Sequence, residues 1–366
     1  MVLKNDWWLL IWLFLFGGVS FAFIPKQEEY VLGQRCVRWN WVPALILVAP
    51  YIMWATFRPG SVGDTGVYIH QFEITPTGLG EIPWYLSTVS KDKGFALLQI
   101  LFKTMVSRSE RPFFFCIAAF QMLSLAKIYR KYSRNFWLSL FFFVSSAEYI
   151  SWMMNGVRQF LAVTIIFACL PLLLERRYFV TCLVVVLASS IHISALIVLP
   201  FVFIVNGRAW NIRTLTFIFG VIAAVFFLDY VTGFISNALQ NTAYEGDAIY
   251  FDSINDDGTN LFRVLFYSVP PVMAWLFRPY IDRANDQMIN LCANLSVVAA
   301  GFYVFSYFTS GMIIGRLPIY FSLANYILIP WIIQEVFSSN SVPLIDLGFV
   351  SVYTAFFYYQ IKAWGA

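Results

Sequence analysis

Long apolar runs separated by short polar segments form the dominant pattern of the chain. A helix that crosses a bilayer needs about twenty predominantly apolar residues, and eleven runs approach or exceed that length. These runs are Trp7–Ile24, Trp39–Phe57, Phe113–Tyr129, Phe136–Ile150, Val157–Leu174, Tyr178–Val205, Leu215–Ile235, Leu261–Phe277, Met288–Phe308, Leu317–Phe337 and Val342–Ile361. The pattern predicts an all-α, polytopic integral membrane protein with a single membrane domain over residues 1–366.

Basic residues between the runs predict the orientation of the chain in the membrane. Cytoplasmic loops carry an excess of Lys and Arg, and the basic residues concentrate in a few short loops that we expect on that side. They are 26–38, 127–134, 175–177, 208–213 and 278–283. The segment Ser236–Asn260 holds several acids and no basic residue, so we expect it on the extracytoplasmic side.

The run Tyr178–Val205 has an unusual length, about 28 residues, and arginines flank both of its ends. It contains one polar cluster, Ser189–Ser194. We expect two short or broken helices that meet there, with His192 facing a cavity, because irregular backbone at membrane depth needs protein or water around it. One long tilted helix is the alternative, but it puts the acidic loop in the cytoplasm. With two short helices in Tyr178–Val205, the chain is predicted to cross the membrane about twelve times, with both termini outside the cytoplasm.

Two long connections are expected on the extracytoplasmic face, residues 58–111 and the acidic loop 236–260. Within the first, the apolar segment Gly94–Val106 is too short to cross a bilayer. It carries apolar residues at helical spacing, namely Phe95, Leu98, Phe102 and Met105. This spacing predicts an interfacial or re-entrant helix at 94–106.

Composition agrees with a protein that is solvated largely by lipid. Of 366 residues, 60% are hydrophobic and 12% are charged, whereas soluble domains contain about 25% charged residues. The net charge of +4 comes from the short basic loops, so it indicates topology rather than nucleic-acid binding. The five cysteines predict neither a disulfide framework nor a zinc site. We expect no cofactor and no metal, since scattered acids such as those of 236–260 are more often simply solvated.

Arg158 lies near the start of the apolar run Val157–Leu174, close to other polar residues. Asn155, Arg158 and Gln159 stand at i, i+3 and i+4, so in a helix they share one face. A guanidinium offers a planar fork of donors for phosphate or carboxylate and stays charged at any working pH. The alternative is an arginine whose charged end simply reaches the membrane interface.

Further polar residues are predicted on the same face of the membrane. They are Arg58, Asp64 and Tyr68 after the second run, His192, and Arg316 with Tyr320 at i+4. Arginines hold a diphosphate without a metal, and histidine is suited to moving a proton near neutral pH. The set therefore predicts a site for an anionic, lipid-linked substrate. The simpler alternatives are a histidine satisfied within the core and arginines that reach the interface.

At these residues the chain resembles the EpsG-like, Wzy-type polysaccharide polymerases of bacterial envelopes. Five ordered blocks carry the resemblance: Arg58–Tyr68, Asp92–Phe95, Asn155–Gln159, Ile191–Leu196 and Gly315–Phe321. One block departs from the pattern of the family, which often has Glu-Pro-Gly-Phe where this chain has Asp92-Lys93-Gly94-Phe95. The acid is retained and the proline is lost.

The resemblance implies a GT-C-like membrane glycosyltransferase in the bacterial inner membrane, multi-pass, with polyprenyl (undecaprenyl) diphosphate-linked oligosaccharide as its substrate. It also implies a flippase and a chain-length regulator as partners. With the donor chemistry above, Arg158 and Arg316 are expected to bind the diphosphate and His192 or Asp64 to act as the base. The remaining residues are expected to orient sugar or phosphate oxygens: Arg58, Tyr68, Asn155, Gln159 and Tyr320.

Other functions share part of this pattern. A ligase of the O-antigen type uses the same donor with another acceptor, although such ligases tend to carry a larger loop than Ser236–Asn260. A transporter or flippase of lipid-linked sugars also needs basic groups, but along a path to both faces. A membrane scaffold without an active site predicts that Arg158, His192 and Arg316 tolerate substitution.

Overall fold

A computed structural model describes residues 6–239, 259–311 and 313–365. The chain divides into two compact units. Unit 1 comprises Met1–Ala168, Leu187–Ile193 and Ile333–Ala366, and unit 2 comprises Cys169–Val186 and Ser194–Ile332. The predicted acidic residues Asp247, Asp252, Asp256 and Asp257 lie outside the described residues.

The first half of the chain begins with a helix, a hairpin and a second helix. These elements are α1 (Trp7–Phe23), β1 (Lys26–Val31), β2 (Gln34–Trp39) and α2 (Trp41–Phe57). Three short helices and a 3-10 turn (Leu79–Glu81) follow: α3 (Thr65–Ile74), α4 (Ile82–Thr88) and α5 (Lys93–Met105). Then come α6 (Glu110–Tyr132), α7 (Phe136–Ser145), a π-helical segment (Tyr149–Asn155) and α8 (Val157–Ala168).

The second half is also helical. It contains α9 (Leu170–Leu174), α10 (Tyr178–Ile191), a 3-10 turn (Ile193–Ile197), α11 (Val198–Ile204), α12 (Ile212–Phe226) and α13 (Leu228–Leu239). After the residues left undescribed come α14 (Leu261–Leu276), α15 (Arg278–Ala284) and α16 (Gln287–Tyr307). A 3-10 turn (Ile314–Arg316), α17 (Ile319–Ser322), α18 (Asn325–Val336) and α19 (Val342–Gly365) complete the chain.

Local side-chain caps explain where several helices begin. The first backbone N–H groups of a helix have no intrahelical acceptor, and an Asn or Asp side chain supplies one. Asn135 caps α7 by accepting a hydrogen bond from Leu138 N at 3.1 Å. Asn211 and Asp286 cap α12 and α16 in the same way. At these three helices, the polar residue before the apolar run therefore marks the start of the helix.

The described helices confirm the prediction of an all-α, polytopic membrane protein. Three of them, α6, α16 and α19, are long and apolar enough to cross a bilayer by themselves. Three bent pairs reach that length together: the π-helical segment with α8, α12 with α13, and the Ile314–Ser322 segment with α18. Further apolar helices of 10–17 residues are present. The number of about twelve crossings stays a prediction.

The long run Tyr178–Val205 is broken where the sequence predicted. Helix α10 ends at Ile191, His192 lies between helices, and the 3-10 turn Ile193–Ile197 leads into α11. The polar cluster Ser189–Ser194 thus contains the residue at which the helix is interrupted.

Two segments differ from the sequence prediction. The basic loop 26–38 is a β-hairpin, in which Lys26 pairs with Trp39 and Val31 with Gln34. Its turn residues Leu32 and Gly33 both have positive φ, 49° and 80°, which matches the twist of the flanking strands. The connection 58–111, predicted with one helix, also contains α3 and α4.

A helix is present at the predicted position 94–106, as α5. Phe95 is buried, whereas Leu98 and Met105 are 39% and 71% exposed. The residues packed inside are Phe95, Ala96, Gln99 and Ile100. The interfacial or re-entrant position of this helix stays a prediction.

Candidate functional site

Arg58 follows α2 directly and is buried, with 2% of its surface exposed. Its Nε donates to Thr65 Oγ1 at 2.7 Å, its Nη1 donates to the Ala55 carbonyl, and its Cζ lies 5.0 Å from the Phe114 ring centre. Burial lowers the pKa of Arg58 to about 10, so it remains protonated at neutral pH. The sequence predicted that Arg58 contacts substrate. In the structure, its Nε and Nη1 donate hydrogen bonds to Thr65 and Ala55 within the protein, and Phe114 lies against the guanidinium.

The loop after Arg58 is fixed by Asn155. Asn155 Oδ1 accepts a hydrogen bond from Asp64 N at 3.0 Å, and Tyr68 OH lies 3.4 Å from the Asn155 carbonyl oxygen. Gly63 has φ +50°, and a Cβ placed there would lie 2.8 Å from Asn155 Oδ1. Close approach of the loop to Asn155 therefore requires glycine at this position. The Asp64 residue is exposed, and Tyr68 is buried.

A sharp bend separates Asn155 from Arg158. Asn155 ends the π-helical segment, Arg158 stands in the first turn of α8, and the two helical segments meet at 113°. The sequence predicted that Asn155, Arg158 and Gln159 share a face of one continuous helix, and this is wrong because the helix breaks at Gly156. Gln159 is buried, with 3% exposed.

Arg158 forms an ion pair with Asp92. Arg158 Nη1 lies 3.0 Å from Asp92 Oδ2, and the side chains are 31% and 5% exposed respectively. The Cζ of Arg158 is 5.8 Å from the Tyr68 ring centre, in the range of a cation–π contact. The Nε atom is buried and has no hydrogen-bond partner within the described part of the chain. The guanidinium is therefore held in place while part of it stays accessible.

Asp92 itself is positioned by the start of α5. It adopts the left-handed conformation with φ 55°, and its carbonyl oxygen accepts from Phe95 N and Ala96 N. Aspartate is one of the few residues that tolerate this conformation. The sequence placed Asp92 in a motif block without giving it a role, and only its distance to Arg158 identifies it as part of the site.

His192 lies near the same start of α5. A Cβ added to Gly94 would come within 2.7 Å of the backbone carbon and oxygen of Ser190, so α5 begins directly against the last turn of α10. His192 is partly exposed and its backbone N donates to the Ala188 carbonyl at 3.1 Å. Helix α10 therefore ends one residue after Ser190, the residue that faces Gly94.

One hydrophobic cluster in unit 1 contains or contacts residues from four of the motif blocks. Its buried members include Tyr68, Phe95 and Val157, and Ile191 packs against it. Each of these residues comes from a different block. The structure therefore brings together the blocks that hold Asp64, Asp92, Arg158 and His192. We call Asp64, Tyr68, Asp92, Asn155 and Arg158 the Arg158 cluster.

Arg316 and Tyr320 belong to unit 2 and are separated by a break. Arg316 ends the 3-10 turn Ile314–Arg316 and is exposed, whereas Tyr320 lies in α17 and is buried. The OH of Tyr320 is 2.9 Å from Ser194 Oγ. The prediction that Arg316 and Tyr320 are neighbours at i+4 on one helix is wrong, because Leu317 and Pro318 interrupt the helix between them.

Arg263 is a further candidate cation of unit 2 that the sequence pattern did not identify. It stands in the first turn of α14, where the Asn260 side chain accepts its backbone N–H at 2.8 Å. Its Cζ lies 5.5 Å from the Tyr303 ring centre and 5.9 Å from that of Tyr267. The sequence feature that could have identified Arg263 is its position as an arginine near the start of the apolar run Leu261–Phe277.

Packing connects the elements that carry Arg263 and Arg316. Ser306 in α16 donates to Thr259 Oγ1 at 2.7 Å, just before α14 begins. A Cβ on Gly315 would lie 2.8 Å from the same Thr259 oxygen. The first turn of α14 and the 3-10 turn that ends at Arg316 therefore pack around one point, Thr259.

The accessible groups define the chemistry that these residues support. In unit 1, Asp64 is exposed, and Asn155, Arg158 and His192 are partly exposed. They comprise a guanidinium donor for phosphate oxygens, an amide, a carboxylate and an imidazole. Such a set is suited to anion binding and proton transfer.

Comparison with known families gives one match. The model of the EpsG family matches residues 41–364, nearly the whole chain. Comparison with curated proteins and with solved structures gives no match.

Proposed function

Because this chain belongs to the EpsG family, we propose that it is a Wzy-type polysaccharide polymerase. In this proposal it transfers a growing glycan from polyprenyl diphosphate to a lipid-linked oligosaccharide repeat unit on the extracytoplasmic face of the bacterial inner membrane. The observation that carries the proposal is the Arg158–Asp92 ion pair, with Nη1 and Oδ2 3.0 Å apart. It holds a partly accessible guanidinium where four of the family-like blocks meet.

The reaction replaces one bond at the anomeric carbon of the growing chain. The bond from that carbon to the diphosphate oxygen breaks, and a bond to the acceptor hydroxyl oxygen forms. The diphosphate leaves with the bonding electron pair, and the acceptor hydroxyl gives up its proton. Stabilising the negative leaving group and accepting the proton are therefore the two tasks of the protein.

Arg158 is assigned to the diphosphate. Its planar fork suits phosphate oxygens, and the Asp92 carboxylate orients the group while Tyr68 packs at 5.8 Å from its Cζ. A donor fixed before the reaction stabilises developing charge without the cost of reorganisation. In unit 2, Arg316 and Arg263 are assigned as candidate cations for phosphate oxygens.

His192 is assigned as the base that takes the acceptor proton, and Asp64 is the second candidate. His192 lies at a helix break, partly exposed, and neutral imidazole accepts a proton near neutral pH. Asp64 is exposed beside Asn155. Asn155 orients sugar or phosphate oxygens, whereas buried Arg58, Tyr68, Gln159 and Tyr320 position the residues around them.

The direct test uses the purified full-length protein in nanodiscs. Its lipid-linked repeat unit is added without nucleotide sugar or ATP, and products are separated on a gel. We expect a ladder of polymer from the wild type and from Arg283→Ala, which changes an exposed arginine of α15. Arg158→Ala is expected to give no ladder while the protein remains folded.

Other outcomes would overturn the proposal. Folded wild-type protein that binds the repeat unit without extending it is not a polymerase. Transfer of the glycan only to a non-repeat acceptor would identify a ligase. Movement of the lipid-linked unit across liposomes without new glycosidic bonds would identify a transporter.

A further inference from the structure

A charged cavity lies at the hairpin end of unit 1. It has a volume of about 440 Å³ and is bordered by the hairpin and by the junction of α6 and α7. Five cations line it: Lys26, Arg35, Arg38, Arg130 and Arg134. Together with the aromatic residues Trp39, Phe136 and Trp137, they form what we call the hairpin pocket. The function proposed above uses none of these residues.

Helices α2 and α6 pack against each other. The hairpin pocket lies at one end of this pair, and the Arg158 cluster lies at the other end. Arg130 Nε donates to the Trp39 carbonyl at 2.7 Å, next to the start of α2. Near the other end, Arg111 Nη1 donates to the Thr56 and Arg58 carbonyls at 3.0 and 3.1 Å. Helix α2 has 17 residues, which corresponds to about 25 Å at 1.5 Å per residue. The two sites are therefore distinct, and the basic loops at the hairpin end are predicted on the cytoplasmic side.

Two guanidinium groups of the pocket are buried and fixed by backbone. Arg38 and Arg130 are 7% and 3% exposed. Arg38 Nε donates to the Lys131 carbonyl at 2.9 Å, and its Nη1 donates to the Val37 carbonyl at 3.2 Å. Arg130 also lies over the Trp41 ring, 4.6 Å from its centre. Their positions are thus set before any ligand arrives, which reduces the entropic cost of binding.

The cations of the pocket outnumber the carboxylates that pair with them. Glu28 pairs with Arg35, Glu29 with Arg130, and Glu335 with Arg134 at 3.8 Å. No carboxylate lies within ion-pair distance of Lys26 or Arg38 in the described ranges of the chain.

Like charges are also held close to each other in this pocket. Burial lowers the pKa of Arg38. Repulsion by Arg134 and Arg130 also lowers it, whereas attraction to Cys36 and Glu29 raises it. Buried like charges are costly unless an anion compensates them. The folded chain thus maintains an excess of positive charge around a cavity at this end of unit 1.

We propose that the hairpin pocket binds the phosphate group of an anionic ligand. Arginine forks match phosphate oxygens in geometry as well as charge. The ligand is either the headgroup of an anionic phospholipid or a soluble phosphate. Tryptophans near the ends of apolar helices and basic clusters beside them are typical of lipid headgroup depth, so the headgroup is the expected source.

The test measures thermal unfolding of the full-length protein in nanodiscs. Discs of phosphatidylcholine alone are compared with discs that also contain phosphatidylglycerol, and inorganic pyrophosphate is added to the neutral discs as the soluble probe. The variants are Arg38→Gln and the double variant Lys26→Gln with Arg134→Gln, which changes exposed residues only. Arg283→Gln removes one exposed cation from a different basic loop and is the control.

We expect phosphatidylglycerol to raise the unfolding temperature of the wild type and of Arg283→Gln, and to raise it less in the pocket variants. Co-purified phosphatidylglycerol should fall about fivefold for each cation removed. Stabilisation by pyrophosphate in neutral discs, lost in the same variants, would identify a soluble phosphate as the ligand and supports the same site. Equal responses of the pocket variants and the wild type to both probes would overturn the proposal.

Discussion

Arg158 and Asp92 form an ion pair, 3.0 Å between Nη1 and Oδ2, although Arg158 stands in α8 and Asp92 immediately precedes α5. The carboxylate side chain is 5% exposed and the guanidinium side chain 31%. The nearly buried carboxylate of Asp92 thus orients the partly accessible guanidinium of Arg158. The pair links the connection 58–111 to the helix break at Gly156, and it provides the most direct test of the proposed site.

The first prediction concerns this pair. Arg158→Ala is expected to lower the rate of polymer formation at least about 100-fold, the usual cost of losing a donor to developing charge. Asp92→Asn keeps a residue that tolerates positive φ and removes only the charge, so it should lower the rate less. Because the two side chains touch, the double variant should deviate from additivity by about 0.5–3 kcal/mol.

The measurement is the initial rate of ladder formation for the four proteins of this cycle. Asp282→Asn is the matched control, since Asp282 pairs with Arg278 at the exposed surface, 3.4 Å apart, and such pairs contribute little. Strict additivity of Asp92→Asn and Arg158→Ala would contradict an orienting role for Asp92.

The second prediction separates the two candidate bases. His192→Ala is expected to lower the rate by about 10²–10⁴-fold, the range for loss of a general base. Asp64→Asn should retain most activity, because the hydrogen bond between Asp64 N and Asn155 uses the backbone and survives the change. Rates are measured across pH. If Asp64→Asn loses activity and His192→Ala keeps a normal rate, Asp64 rather than His192 is the base.

The third prediction concerns the contact of α5 with α10. Gly94→Ala is expected to impair polymer formation and to lower the unfolding temperature, because the new Cβ would meet backbone atoms of Ser190 at 2.7 Å. Gly80→Ala is the control, since nothing lies within 4 Å of its Cβ position. Gel assay and thermal unfolding are compared for both. A wild-type unfolding temperature in Gly94→Ala would show that α5 does not lie against Ser190.

The fourth prediction distinguishes Arg58 from Arg158. Arg58→Gln is expected to destabilise the protein by about 1–3 kcal/mol, because buried hydrogen-bonding groups lose their partner. The partners concerned are the Thr65 hydroxyl and the Ala55 carbonyl. The double variant Arg158→Ala with Asp92→Asn leaves no carboxylate without its ion-pair partner, so it should barely change unfolding while it abolishes polymer. Chemical unfolding in detergent gives both free energies, and normal stability of Arg58→Gln with loss of substrate binding would restore Arg58 as a contact residue.

The fifth prediction concerns the cations of unit 2. Arg316→Ala and Arg263→Gln are each expected to weaken binding of a lipid diphosphate that carries no sugar, because each removes a charged donor. Arg283→Gln, with its exposed side chain on α15, should bind like the wild type. Binding is measured with purified protein in detergent. Wild-type affinity in both variants would exclude these two arginines from the diphosphate site.

Local sequence patterns were sufficient for much of the helical architecture. Long apolar runs predicted α6, α16 and α19 to within a few residues, because a helix is the structure that satisfies a single segment's backbone in lipid. The polar cluster Ser189–Ser194 predicted the break at His192 for the same reason. These features depend on residues that are adjacent in the chain, so the sequence alone reveals them.

The hairpin and the bend at Gly156 were not predicted. Strands Lys26–Val31 and Gln34–Trp39 lack an alternating apolar pattern, and their turn is Leu32-Gly33 rather than a sequence typical of hairpins. The 113° bend lies at Gly156, next to Asn155, whose contacts are with Asp64 and Tyr68 about 90 residues away in the chain. Neither feature has a strong local signal.

The sequence by itself determined the membrane class of this protein, its family-like blocks and the residue types available for chemistry. Only the tertiary structure decided which arginine is buried and which is accessible. Arg58 and Arg158 both stand next to an apolar helix, and the sequence gives them equal standing. Arg58 is covered by Thr65 and Phe114, whereas Arg158 is held by Asp92 with part of its surface open. Burial and pairing depend on residues distant in the chain, and folding alone brings those residues together.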